Sequence, residues 1–269
     1  MSRKQTTEYM KKTLQILNAI AFIVVVVLNY LSNTGIFNGN TMGSVSAQYE
    51  NLFTPAGYAF SIWGFIYLGL LGFIIYQGRG LFQEYKEGDE IVHKIGWWFV
   101  ISCLANCLWI FTWLYNYTGI SVLVMILLLF SLIKIILNTR MELDDVGLSR
   151  IAFVWWPFSL YSGWITVALI ANTAAYLTKI GWDGFGISEV TWTVIMICAA
   201  GIINLVITWI RNMREFALVG VWGLVAVAVA NWNEEPAIQW TALIVAVILF
   251  ISSSYHGHKN RETAPHKKL

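Results

Sequence analysis

The chain is 269 residues long, 58% hydrophobic and 12% charged, with a net charge of +2 at pH 7. A soluble domain carries about 25% charged residues and about 45–50% apolar ones, so a chain with half that charge cannot cover a soluble body with polar groups. A soluble enzyme, a nucleic-acid binder and a disordered chain are excluded, and the 14 Trp, 12 Tyr and 15 Phe fit a multi-pass membrane protein with two interfaces to anchor in.

A helix needs roughly 20 mostly apolar residues to cross about 30 Å of hydrocarbon. In chain order, the runs 13–31, 57–77, 95–114, 118–137, 151–177, 190–210, 214–231 and 238–254 meet that need. The seventh is the least distinct because small residues dominate it. Runs such as Ala21–Leu28 and Val122–Phe130 are apolar all round, unlike the alternating strands of a lipid-facing barrel. The expected fold is an all-α integral membrane bundle of about eight transmembrane helices. The basic start and first apolar run have the character of a secretory signal, but the nearest small-x-small site, Val45-Ser46-Ala47, lies far beyond the run. An uncleaved first span is therefore expected.

The charges give an independent check on the count. With eight spans and a cytoplasmic N-terminus, 16 of the 17 Lys and Arg fall on the cytoplasmic side and only Lys179 falls outside. The positive-inside rule predicts such a bias, with Lys134 close enough to a helix end for its stem to snorkel. Ten acids lie inside and five outside, so the two sides carry +6 and −4. The basic excess reflects topology and anionic lipid rather than a nucleic-acid partner.

The spans lack an ionisable residue near their centres. No Asp, Glu, His or Arg sits there, which argues against a carboxylate-driven pump and a voltage sensor. No mid-membrane Lys is present for a retinal Schiff base. The four histidines, His93, His256, His258 and His266, lie in loops or the tail, which excludes a haem held by two intramembrane histidines. Cys103, Cys107 and Cys198 lie within spans and imply neither a disulfide nor a metal site. No nucleophile-and-base pair or paired carboxylates appear, so an enzyme is not expected.

Aromatic rings and amides remain. The second span opens with Pro55, followed by Tyr58 and a stripe of Phe60, Trp63 and Tyr67 spaced three and four apart. The third carries Asn106, Trp109 and Trp113 on one face, with Ser102 a turn earlier. The fifth carries Trp164, Ala168 and Asn172 at four-residue intervals, with Tyr161 nearby. Pro157 predicts a kink or local unwinding in that span. At about 1.5 Å per residue, the stripes fall at the centre or in the outer half of the bilayer, beneath the 32–56 segment as a lid. They can line one outward-facing aromatic cavity, although helix–helix packing satisfies the same periodicity. Asn106 and Asn172 either face a ligand or bond across helices, and Asn204 in the sixth span is expected to bond across helices. Trp97, Trp98, Trp155, Trp156, Trp209, Trp232 and Trp240 are expected as interfacial anchors.

These stripes resemble those of the TspO/MBR family, the tryptophan-rich sensory or translocator proteins, which have five membrane helices. Pro55, Trp63 and Tyr67 match the family's second-helix spacing. Asn106 and Trp109 match its third-helix Asn-x-x-Trp, and Trp164, Ala168 and Asn172 match its fifth-helix pattern. The chain departs at Ser102, where the family usually has Gln, and at Pro157, seven residues before Trp164 rather than four. The family's Pro/Gly pattern at the end of the first helix has no clear counterpart. The resemblance covers roughly residues 13–177. It divides the chain into a five-helix core at 1–177, three additional helices at 178–254 and a basic cytoplasmic tail at 255–269.

The resemblance implies a sensor-like receptor or carrier for porphyrins, haem-type tetrapyrroles, sterols or other apolar ligands, with no required cofactor. Its ligand-binding residues would be Tyr58, Phe60, Trp63, Tyr67, Asn106, Trp109, Trp113, Tyr161, Trp164, Ala168 and Asn172. It further implies a bacterial plasma membrane and a homodimer as in other family members, while the even span count and the basic bias place both termini in the cytoplasm. A secondary transporter using all eight helices and a porphyrin-degrading enzyme remain as alternatives.

Overall fold

The computed structural model describes residues 3–81 and 89–260, so Lys86 and residues 261–269 of the expected tail lie outside it. Among the described residues every regular element is helical. In chain order they are α1 (Arg3–Leu31), α2 (Met42–Gln48), α3 (Ile62–Gly78, entered through a 3-10 turn at Gly57–Ser61), α4 (Asp89–Ile95), α5 (Trp98–Leu114) and α6 (Thr118–Asn138). Then follow α7 (Leu148–Arg150), which runs through a π turn at Ile151–Trp155 into α8 (Trp156–Lys179), and α9 (Glu189–Arg211), α10 (Arg214–Ala230) and α11 (Pro236–Lys259).

Six helical segments are long and apolar enough to span a membrane, those containing α1, α3, α6, α8, α9 and α11, and α5 is a shorter apolar helix. The chain is an integral membrane protein. The eighth long helix, the 17-residue α10, matches the indistinct seventh run. Its small residues permit close packing. A Cβ on Gly163 of α8 would stand 3.0 Å from the Phe216 carbonyl of α10, so α8 and α10 meet backbone to backbone there.

Hydrogen bonds between connections show how the helices alternate. At the end carrying Lys179, the amides of Asn38 and Asn40 donate to the Leu114 carbonyl, Lys179 donates to the Asn116 carbonyl, and Asn231 donates to the Leu52 carbonyl. At the end carrying Arg211, that guanidinium donates to the Met141 carbonyl at 3.2 Å and Asn212 donates to the Glu142 carbonyl at 3.0 Å. The eight long helices thus run alternately up and down, and α1 starts at the end where α11 finishes. Near that end, Gln15 donates to the Gln77 carbonyl at 2.6 Å and Asn18 donates to the Gln77 Oε1 at 2.9 Å, which fixes α1 to α3.

Two cores result. The larger is built from α1, α3, α5, α6 and α8 and takes Phe216, Val219 and Ala226 from α10. The smaller lies between α9, α10 and α11 and takes Phe53 from the connection ahead of α3. With one face in each core, α10 is the wall they share.

Three local features refine the sequence reading. The unwinding expected near Pro157 appears as the π turn ending at Trp155, with Pro157 in the first turn of α8, where its missing N–H costs little. Trp155, expected as an interfacial anchor, is instead buried, whereas Trp156 beside it is 38% exposed. The π turn directs one indole into the bundle and leaves its neighbour outside. Asn204, expected to bond across helices, donates to the Ala200 carbonyl of its own helix at 2.8 Å. Across from it stands Gly220, which offers no side-chain partner, so back-bonding to the preceding turn is what remains.

Candidate functional site

The three aromatic stripes converge near the Lys179 end of the first core. Trp109 and Trp113, one turn apart on α5, stack at 6.2 Å with 21° between their planes. Phe60 meets Trp164 edge-on at 6.2 Å. Trp63 stacks on Tyr67 at 5.4 Å and turns its edge to Tyr161 at 5.7 Å. Offset and edge-on contacts of this kind suit the ring quadrupoles and give a rigid wall.

Between these rings lies a small chamber of about 50 Å³, lined by Phe60, Trp63, Trp109, Trp113, Trp164, Ala168 and Asn172 together with Met42, Ser46, Thr54, Pro55, Val167, Ala171 and Ala175. Its lining holds no acid and no base. This space is well below the roughly 300–1,000 Å³ of pockets that hold drug-sized ligands.

Outside it, between α1 and α3, is a cleft of about 720 Å³, within the range of pockets that hold drug-sized ligands. Val26, Asn29 and Tyr30 of α1, with Asn33 just after it, form one side and Phe60, Trp63 and Tyr67 the other, with α2 as the roof. Met42, Ser46, Thr54, Pro55, Phe60 and Trp63 line both spaces and so form the partition between them.

The roof belongs to the 32–56 segment, expected from the sequence as a lid over the stripes. Here α2 starts with a reciprocal cap, in which the Thr41 hydroxyl accepts from the Ser44 N–H and Ser44 Oγ accepts from the Thr41 N–H. The Trp113 indole donates to the Met42 carbonyl at 3.3 Å, the Ala56 N–H donates to the Ala226 carbonyl at 3.0 Å, and the Leu52 N–H donates to Glu189 at 3.1 Å. These bonds tie the segment to α5, α10 and α9.

Both amides are engaged within the protein. Asn106 donates to the Tyr161 hydroxyl at 2.6 Å and accepts from Asn29 at 3.2 Å, which links α5 to α8 and α1. Asn172 accepts from the Trp109 indole at 2.7 Å and donates to Ser121 at 2.8 Å, which links α8 to α5 and α6. Asn106 and Tyr161 therefore stand behind the chamber wall and do not line it. Tyr58 lies elsewhere, 43% exposed and edge-on to Trp222 of α10 at 5.3 Å. It precedes Phe60 by two residues, and a two-residue offset on a helical turn points to another face.

Two polar atoms at the site make no hydrogen bond among the described residues. The Trp164 Nε1 is buried without an acceptor, and the Tyr67 hydroxyl lies beside the Asn106 amide without bonding it. The sequence reading did not single out Asn29, Met42, Ser46, Thr54 or Val167. Asn29, a polar residue closing the apolar run of α1, and Thr41-x-x-Ser44, a helix-start pattern, were the available signals.

A model of the TSPO-like protein family matches residues 15–255. The match runs past residue 177, where the sequence motifs end, and takes in α9, α10 and most of α11. Among curated proteins and among solved structures, no match is found.

Proposed function

Because the chain belongs to the TSPO-like protein family, we propose that it is a sensor-like membrane receptor or carrier that binds a planar apolar ligand of the porphyrin or tetrapyrrole class. The partition between cleft and chamber is the observation that carries this reading. A cleft of about 720 Å³ has room for a large flat ligand, and the chamber of about 50 Å³ does not. Ligand entry lies between α1 and α3, under α2, with the flat face set against Trp63 and Phe60. Displacing those rings would open the indole chamber.

Trp164 supports the same reading. Leaving a buried donor unpaired costs about 1–3 kcal/mol, and a carbonyl or carboxylate on a ligand reaching the chamber would recover that. The amides play a different part: with Asn106 and Asn172 bonded inside the protein, they hold α5 against α1, α6 and α8 and shape the wall. The chamber lining is without acid or base, and Glu50 is the one charged residue along the cleft, with no second such group lining it to pair in acid–base chemistry, which favours binding. The end carrying Arg211 and Arg214 is proposed to face the cytoplasm of a bacterial plasma membrane, which places the cleft in the outer half of the bilayer.

The test is tryptophan quenching by protoporphyrin added to purified protein. Saturable quenching is expected for the native chain, with loss of affinity in Trp63→Leu and Trp164→Leu while both variants remain folded. Native affinity in both would remove the pocket from consideration.

A further inference from the structure

A second groove, of about 630 Å³, runs between α8 and α9 at the Lys179 end. It shares no lining residue with the aromatic chamber and only Glu50 with the cleft. Its walls within the bilayer are apolar, including Leu169, Ile170, Ala174 and Met196. Leu169 stands ten residues before the last residue of α8, so the groove descends about 15 Å from that end.

The mouth has the opposite character. Glu50, Asp183 and Glu189 line it, and no Lys or Arg does. Lys179 is held away from it, donating to the Asn116 carbonyl and lying 5.5 Å from the Tyr49 ring. Asp183 and Glu189 each accept one backbone N–H, from Phe185 at 3.0 Å and Leu52 at 3.1 Å. A carboxylate has about four acceptor positions, so both retain capacity. Between them the Trp182 and Trp192 indoles lie 5.3 Å apart, and a 2.8 Å bond from Trp192 Nε1 to the Gly184 carbonyl fixes the second ring.

Thr193 supplies an independent sign of a ligand. It lines the groove one turn below Glu189, is 4% exposed, and makes no side-chain hydrogen bond among the described residues. Its neighbours in the groove, Thr173 and Thr178, satisfy their hydroxyls on the Leu169 and Ala174 carbonyls at 2.7 and 3.0 Å.

We propose that this groove binds a cationic amphiphile, an alkylammonium whose chain lies along α8 and α9 and whose N–H groups reach the carboxylates and the Thr193 hydroxyl. The charge at the mouth selects the sign of the headgroup, and the indole faces attract a cation in a partly desolvated position. Anionic amphiphiles are repelled, and a phosphocholine head would set its phosphate against the three carboxylates.

The test uses the full chain in phosphatidylcholine nanodiscs, with radiolabelled decylamine as the probe and empty nanodiscs subtracted. Saturable binding is expected, about ten-fold weaker in the Asp183→Asn/Glu189→Gln variant. Both replacements keep an acceptor for the Phe185 and Leu52 N–H groups, so the fold is retained. Glu50→Gln, at a side chain that makes no hydrogen bond among the described residues, and Thr193→Val should each weaken binding by a smaller factor. Unsaturable binding, unchanged affinity in all these variants, or equal displacement by decyl sulfate or dodecylphosphocholine would overturn the proposal.

Discussion

The indole of Trp109 donates to the side-chain carbonyl of Asn172 across 2.7 Å, and the Asn172 amide donates in turn to Ser121. One buried side chain thereby joins α5, α6 and α8 at the wall of the aromatic chamber. The bond should be measurable as a coupling. In a double-mutant cycle of Trp109→Phe and Asn172→Ala, thermal unfolding in detergent should give an interaction energy of about 1 kcal/mol, in keeping with buried polar pairs in membrane bundles. Strict additivity would show that the two residues act separately.

Trp164, on α8 two turns before Asn172, has its Nε1 unpaired, so replacing it should have a different cost. Trp164→Phe removes an indole N–H that has no partner, whereas Trp109→Phe leaves the Asn172 carbonyl short of a donor. The second variant is expected to be less stable than the first by about 1–2 kcal/mol. Comparing their thermal midpoints, with Trp164→Phe also titrated with protoporphyrin, separates stability from binding. If the Trp164 N–H meets the ligand, that variant stays folded and binds more weakly.

Gly163 holds α8 against α10, with the Phe216 carbonyl 3.0 Å and the Val219 Cβ 3.1 Å from the position a Cβ would take. Backbone atoms cannot swing aside as a flexible side chain does. Gly163→Val is expected to cost about 1–3 kcal/mol or more by overpacking. It should also increase proteolysis in the connections flanking α10. Native stability and protection would show that the helices adjust freely.

The connection between α6 and α7 contains Glu142, whose carboxyl is pushed up to about 8 by burial and by the Glu215 charge. Its folded value lies above the unfolded one, so the folded state holds a proton that the unfolded state has released between about pH 5 and about pH 8. Stability should fall as pH rises through that window, by at most about 1.4 kcal/mol per pH unit, and level off above it. Glu142→Gln should flatten the fall. Thermal midpoints across the window decide it, and an identical slope in the variant would contradict the assignment.

Much of this architecture is local and therefore legible in the chain. Apolar runs mark the eight long helices, six of them within segments of span length, since a backbone in hydrocarbon must satisfy its own hydrogen bonds. The three-and-four spacing of Phe60, Trp63 and Tyr67, and of the rings on α5, places each stripe on one helix face. Pro157 marks where the fifth span unwinds. Among the described residues, the basic ones collect at one end of the bundle, with Lys179 at the other.

The tertiary structure decided how those faces meet. Periodicity sets which residues share a face but not the rotation of one helix against another, so Asn106 and Tyr161 turned to each other while Asn172 and Trp109 bonded at the chamber wall. Tyr58 went to Trp222, a residue on a helix outside the motif-bearing segment. The 32–56 segment reads as a polar connection because α2 is too short to announce itself, and only its bonds to α5, α9 and α10 make it a roof. The composition specified a membrane bundle rich in indoles. Packing between residues distant in sequence determined which indoles enclose a chamber, which stand behind it, and how little space the chamber leaves.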